Sequence, residues 1–205
     1  MRALQAAEPR LILATASAAR RAVLAGAGLA FEAMAAAVDE AAIKESAQAE
    51  GIPAEDAAIL LAEAKAQRIA RRHPEALVIG ADQMLVCDGA WFDKPADLDG
   101  ARAHLRALRG RAHVLVSAMV CWRGGARVWQ HLARPRLTMR DFSDDFLEAY
   151  LAAEGEALLS SVGAYRLEGP GVQLFSAVEG EHSAILGLPL LPLLDFLRGH
   201  GVLLR

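Results

Sequence analysis

Charged and hydroxylated side chains recur in this chain at the ends of apolar runs. Leu11-Ile12-Leu13-Ala14 leads into Thr15, Ser17, Arg20 and Arg21. Val78-Ile79-Gly80-Ala81 leads into Asp82 and Gln83, and Trp91-Phe92 leads into Asp93-Lys94-Pro95. A strand turning into a helix at residues 15–18 exposes backbone N–H groups at the positive end of the helix dipole, a setting that favours anions. Two hydroxyls and two guanidiniums there suit a polyphosphate. A capped amphipathic helix with a solvated basic face would use the same residue types. Asp82 carries the most weight. An acid closing a buried strand is costly unless it meets a metal, a cation or backbone donors, although a turn-capping acid would also fit. Lys94 precedes a proline, which holds it extended as a fixed cation. Glu40, in Val38-Asp39-Glu40, and Lys65, in Ala62-Glu63-Ala64-Lys65-Ala66, read alone as a loop acid and a surface lysine.

The elements that must position these groups follow from pattern. Arg10 to Thr15 predicts a strand and Ala18 to Ala27 a helix, followed by an extended stretch from Phe31 to Val38. Pro53 to His73 predicts a long helix, with Glu55 and Asp56 in its first turn and Arg68, Arg71 and Arg72 in its last. Ala76 to Gly80 reads as a buried central strand that ends at Asp82. Met84 to Cys87 and Ala90 to Phe92 flank Asp88-Gly89, a two-residue hairpin signal. Asp97 caps a helix to Leu108. His113 to Trp122 and Arg127 to Thr138 form a second hairpin through Gly124-Gly125. Ser143 caps a helix to about Glu154. A glycine-punctuated loop from Gly163 to Gly171 precedes a strand from Val172 to Val178, and Pro189 opens a last helix. This order lacks strict βαβ alternation and predicts an α/β fold with a mixed, curved sheet and flanking helices.

With 205 residues, 54% of them hydrophobic, the chain can bury one sizeable core. The expected organisation is a single domain, residues 1–205, with two lobes. A net charge of −3 gives no basic excess for a nucleic-acid polymer. No leader-like apolar segment precedes Pro9, and the apolar run at 184–194 is broken by Pro189 and Pro192, so a cytoplasmic protein without membrane contact is expected. Cys87 and Cys121 lie in apolar sequence and read as buried thiols. No Walker-type phosphate loop is present.

Taken in order, these segments resemble the Maf family of nucleoside triphosphate pyrophosphatases. Thr15, Ser17, Arg20 and Arg21 are similar to its Ser-x-Ser-Pro-x-Arg-Arg, with Ala18 in place of the proline. Val38-Asp39-Glu40, the Ala-x-x-Lys-Ala around Lys65, Gly80-Ala81-Asp82-Gln83 and Lys94-Pro95 are also similar, as are Gly163-Ala164-Tyr165-Arg166-Leu167-Glu168-Gly169 and the Gly-Leu-Pro at 187–189. The resemblance implies a two-lobed fold related to the inosine-triphosphatase architecture, with a cleft between the lobes. It implies Asp82 as general base and, with Glu40, as ligand of a divalent cation (Mg, Mn or Co). Thr15, Ser17, Arg20, Arg21, Lys65 and Lys94 would bind substrate, while Ala19, Gln83 and Glu168 would set specificity. Gln83 and Glu168 are similar to the branch acting on 7-methyl-GTP, but that branch often has an aromatic residue where this chain has Ala19. Arg111 and His113 read as supporting structure. The expected partner is a nucleotide substrate, and a homodimer stays open. A dTTP/UTP-type or broad-specificity pyrophosphatase, or a non-catalytic nucleotide-sensing regulator of cell division, are the alternatives.

Overall fold

A computed structural model describes residues 4–205. Among the described residues seven α-helices and eight strands form a mixed α/β fold, with the strands in an open sheet of order β2-β1-β3-β5-β7-β8 from which β4 branches beside β3 and β6 beside β5. The strands are β1 (Leu11–Ala14), β2 (Glu32–Met34), β3 (Leu77–Cys87), β4 (Ala90–Phe92), β5 (Ala112–Arg123), β6 (Ala126–Ala133), β7 (Arg136–Met139) and β8 (Phe175–Glu179). The helices are α1 (Ala18–Gly26), α2 (Glu40–Ala49), α3 (Ala54–Ala70), α4 (Leu98–Leu108), α5 (Asp144–Glu154), α6 (His182–Ile185) and α7 (Leu190–Gly199). β1 pairs in parallel with β2 and β3, whereas β3–β4, β5–β6, β5–β7 and β7–β8 are antiparallel. Among the described residues no helix is long and apolar enough to cross a membrane.

The chain divides into two compact units. The first holds Met1–Asp82, Ser117–Ala133 and His182–Arg205, and the second holds Gln83–Val116 and Arg134–Glu181. β3 passes from one unit to the other between Asp82 and Gln83, and β5 does so between Val116 and Ser117.

The core of the first unit follows from strand alternation. Leu11 and Leu13 of β1 and Leu77, Ile79 and Ala81 of β3 pack with Leu24, Leu193 and Leu197. Val78, Gly80 and Asp82 therefore share the opposite face, which meets α3. The buried stripe of α3 is almost all alanine: Ala54, Ala57, Ala58, Ala62, Ala66 and Ala70, with Leu61, Lys65 and Ile69 among them. Small side chains let the helix backbone come close to the strand, and Gly80 completes the approach. A Cβ at Gly80 would lie 2.2 Å from the Ala62 carbonyl oxygen and 2.8 Å from the Ala66 Cβ. Only glycine fits there without moving α3 and with it Lys65.

Four sequence expectations need correction. Arg127 to Thr138 is not one strand: it divides into β6 and β7, which pair with different stretches of β5. Asp82 does not end a strand, because β3 runs unbroken for 11 residues and Asp82 sits in its interior. The apolar runs on either side of Gly80-Ala81-Asp82-Gln83 belong to one strand, since the buried Lys65 satisfies the acid and lets the ladder continue. Glu40 does not lie in a loop. It opens α2, a helix not anticipated from pattern, whose cap is Asp39 accepting from the Ala42 N–H at 3.0 Å. The stretch from Val172 begins as a 3-10 turn, Pro170–Leu174, so β8 starts only at Phe175. Elsewhere the expected caps hold: Asp97 accepts from Gly100 N–H at 2.7 Å and Ser143 from Phe146 N–H at 3.2 Å. Asp88-Gly89 closes the β3–β4 hairpin with both residues at positive φ, as a type I′ turn requires.

Candidate functional site

The first unit gathers four of the expected charged residues. Lys65, on the buried face of α3, donates from Nζ to Asp82 Oδ1 at 2.5 Å and lies 2.8 Å from Glu40 Oε1. The Asp82 side chain is 5% exposed and that of Lys65 10%, so this pair is nearly dry, while Glu40 at 45% stays in contact with solvent. One ammonium thus bridges a buried and a half-exposed carboxylate. The arrangement answers the desolvation cost of Asp82, because a buried charge persists only when paired.

Arg20 is the second cation. Its Nε donates to the Gly187 carbonyl at 2.9 Å, which fixes the guanidinium from a loop far along the chain. Burial lowers its pKa from the usual value, and the Asp82 and Glu40 carboxylates pull it back up. That mutual influence places Arg20 in the same electrostatic neighbourhood as the two acids. An arginine keeps its charge under such a shift.

The β1–α1 turn is built by the hydroxyls predicted for it. Thr15 is buried, and its Oγ1 accepts from the Ser17 N–H at 3.0 Å. Ser17 caps α1 by accepting from the Arg20 N–H at 3.4 Å. Both oxygens serve as local acceptors, and each hydroxyl retains a proton to donate. Ala19 is partly exposed and Arg21 exposed on the first turn of α1. The structure therefore brings Arg20, Glu40, Lys65 and Asp82 together and sets Thr15, Ser17, Ala19 and Arg21 on the turn that carries Arg20.

Gln83, Lys94 and Glu168 belong to the second unit. Gln83 follows Asp82 within β3 and is partly buried. Lys94 is exposed, between β4 and the buried Pro95. Glu168 is exposed on a turn whose ends are joined by the Gly169 N–H donating to the Arg166 carbonyl at 3.2 Å. Below that loop His113 is buried at 1% exposure, and its Nε2 hydrogen-bonds to Tyr165 Oη at 2.8 Å. Phe175 packs against both rings. The expectation of a supporting His113 is met. Arg111, by contrast, forms an exposed ion pair with Asp88 at 3.1 Å.

Burial pushes the His113 pKa down to about 4. The unfolded chain, with a value near 6.5, then binds a proton that the native state refuses. Stability from this group is fully present above roughly pH 6.5 and is lost as pH falls through about 4, up to roughly 3 kcal/mol in all. Urea unfolding at pH 7 and at pH 4.5 should show this loss, and His113→Gln should flatten it. An equally steep loss in the variant would exclude His113 as the titrating group.

The residues present can be tested against a divalent cation. Magnesium is usually held by one or two carboxylates, with substrate phosphates and water completing its shell. Glu40 and Asp82 supply that number of carboxylates. Among the described residues no group of three or more His, Cys, Asp and Glu is placed to hold a metal ion by itself. The donor set fits a cation that arrives with a phosphorylated ligand better than a permanently caged one.

Sequence reasoning missed the Gly187 carbonyl that fixes Arg20, because no residue type announces a backbone acceptor. It also missed Glu154, whose side chain lies near Arg166 beneath the Glu168 turn.

Similarity to known proteins extends along nearly the whole chain. The family model described as Maf-like protein matches residues 10–200. The chain is 59% identical over 194 residues to a nucleoside triphosphate pyrophosphatase of Granulibacter bethesdensis, covering 95% of this chain and 98% of that one. It is 56% identical over 196 residues to one from Rhodospirillum rubrum, covering 96% and 97%. It is also 50% identical over 196 residues to a 7-methyl-GTP pyrophosphatase of Rhizobium meliloti, covering 96% and 98%. With the family model matched along nearly its whole length and the Lys65–Asp82–Glu40 cluster assembled from the expected segments, this chain belongs to the Maf family.

Proposed function

We propose that this Maf protein, a hydrolase and nucleoside triphosphate pyrophosphatase, cleaves the α–β phosphate bond of 7-methyl-GTP or a related guanine nucleotide. The products are the monophosphate and pyrophosphate. The observation that carries the reading is the buried Lys65–Asp82 pair with Glu40 and Arg20 beside it. A protein that only bound nucleotides would have little use for a carboxylate buried among its cations, since it repels phosphate. Water attacking the α-phosphorus needs that group to orient it or take its proton.

Each side chain has a task in this scheme. Asp82 positions the attacking water. Arg20 and Lys65 offset charge that builds on the phosphate oxygens, and the N–H groups and hydroxyls of the 15–18 turn orient the phosphates. Lys94 adds a further cation, and Arg21 an outer one. Glu40 and Asp82 would hold a divalent cation, which supplies Lewis-acid polarisation of the phosphoryl oxygens. Positioning and electrostatics dominate such a reaction. Gln83 and Glu168 keep the specificity role that the family resemblance implies for them.

The guanine preference rests on Glu168. A carboxylate only accepts hydrogen bonds, and the guanine edge offers adjacent donors at N1 and the exocyclic amine. Uracil and thymine flank a donor with acceptors, which a carboxylate repels. The names of the Rhizobium relatives support the 7-methyl preference. Ala19 lacks an aromatic face for a cationic base, so the guanine reading has stronger support than the methyl. The test is pyrophosphate release from 7-methyl-GTP, GTP, UTP and dTTP with and without Mg, Mn or Co. The guanine nucleotides should lead in kcat/KM and require the cation. Faster UTP or dTTP turnover would reverse the branch, and no release from any nucleotide would favour a regulator.

A further inference from the structure

The turn that carries Glu168 presents a second charged group. Arg166 and Glu168 lie two residues apart, with Arg166 Nε 3.9 Å from Glu168 Oε1. On its other side Arg166 Nη1 lies 3.7 Å from Oε2 of Glu154, the last residue of α5. The Glu154 side chain is only 7% exposed, and its Oε2 has no hydrogen-bond partner. A buried carboxylate is costly unless a cation stands opposite, so Glu154 anchors the guanidinium. Neither ion pair is within hydrogen-bond distance, so both leave the guanidinium N–H groups uncommitted. The Arg166 side chain is 38% exposed and can meet a ligand.

The turn beneath these side chains is closely packed. A Cβ at Gly171 would lie 2.4 Å from the Arg166 carbonyl oxygen, 2.9 Å from its backbone nitrogen and 2.9 Å from the Tyr150 hydroxyl oxygen. The backbone at residue 166 therefore packs directly against Gly171, as does the hydroxyl of Tyr150, one helical turn before Glu154. Buried packing, and not chance exposure, sets where Arg166 stands.

We infer that Arg166 is a specificity-determining residue that donates to O6 of guanine while Glu168 accepts from N1–H and the exocyclic amine, with Glu154 as the positioning residue behind Arg166. The inference rests on the guanine reading of Glu168 and deepens it. Along its Watson–Crick edge guanine presents one acceptor and then two donors. A guanidinium beside a carboxylate presents donors and then acceptors, the complement in the same order. Adenine reverses the first two positions and meets like against like at both. Glu168 alone would read N1–H and the exocyclic amine and would leave the O6 acceptor itself without a partner.

The experiment compares GTP with 6-thio-GTP, which keeps N1–H and the exocyclic amine but carries the much poorer acceptor sulfur in place of O6, and with ITP, which lacks the exocyclic amine. The wild-type protein should favour GTP over 6-thio-GTP by about tenfold in kcat/KM, as befits weakening of a hydrogen bond to a charged group. Arg166→Met should collapse that ratio and leave the GTP-to-ITP ratio in place. Glu154→Gln should reduce the first ratio part of the way, with a thermal melt confirming that the variant is folded. If Arg166→Met slows all three nucleotides equally, Arg166 merely holds the turn and the inference is overturned. Calorimetric binding of GTP and 6-thio-GTP without added cation reads the O6 contact independently of turnover. Equal affinities there overturn the role of Arg166, whereas unequal affinities without pyrophosphate release uphold it and sink the pyrophosphatase reading instead.

Discussion

Asp82→Asn is expected to lower kcat/KM by about 10²–10⁴-fold while leaving the folded state in place. The amide oxygen can still accept from Lys65 Nζ, which now donates to Asp82 Oδ1 at 2.5 Å, and the side chain is nearly isosteric with the native acid. Substitution therefore removes the charge and the proton-accepting ability without opening a cavity on the α3 face of β3. Loss of a positioned acid or base affects the chemical step, so the fall should lie in kcat, with KM changed far less. Steady-state release of pyrophosphate under saturating divalent cation measures this, with circular dichroism and a melting curve as controls. A folded Asp82→Asn protein with turnover close to wild type would remove Asp82 from the chemistry.

How far the sequence disclosed this site depended on whether the relevant information was local. Ser17, Asp97 and Ser143 each cap the helix expected of them, because capping needs only a side chain and a backbone N–H a few residues on. The Asp88-Gly89 hairpin was equally local. The course of the chain around Asp82 was not. Two apolar runs separated by Gly80-Ala81-Asp82-Gln83 look like two strands, because a charged residue in a strand interior contradicts burial. The compensating ammonium comes from Lys65, 17 residues earlier on a helix that reads as a plain surface lysine carrier. Helix α2 escaped because its Glu40-Ala41-Ala42-Ile43-Lys44-Glu45 start carries little apolar periodicity, leaving only Asp39 to announce it. For Arg20 the helix and the charge were legible but the Gly187 carbonyl that aims it was not. Tertiary partners of charged groups are the part of a site that local pattern does not encode.

Lys65→Met should carry the largest stability cost in the molecule's charged network. Methionine keeps the length and apolar stem of lysine on the buried face of α3, so packing on that face is largely preserved. What disappears is the ammonium that donates to the Asp82 carboxylate, a group 4% exposed. Breaking a buried pair from one side typically costs about 3–5 kcal/mol, because the remaining charge is stranded. For a chain of this size that corresponds to a fall in Tm of roughly 6–20 °C. Glu40→Gln should cost far less, since the Glu40 side chain is 45% exposed and water replaces the lost contact. The double variant Lys65→Met/Asp82→Leu separates stability from function. Replacing both partners by apolar groups removes the stranded charge, and such replacements are often neutral or stabilising. The double variant should therefore melt well above Lys65→Met, with no pyrophosphate release. Urea titration monitored by tryptophan fluorescence gives the three free energies. A loss below about 1 kcal/mol in Lys65→Met, the scale of an exposed pair, would mean that Asp82 finds another partner and that Lys65 is not what permits an acid inside β3. A double variant no more stable than Lys65→Met would assign the cost to packing on α3 instead of charge. The expected pattern, a single variant that loses stability and a double variant that regains it without activity, would mean that the buried pair is kept for its chemistry and at the expense of the fold.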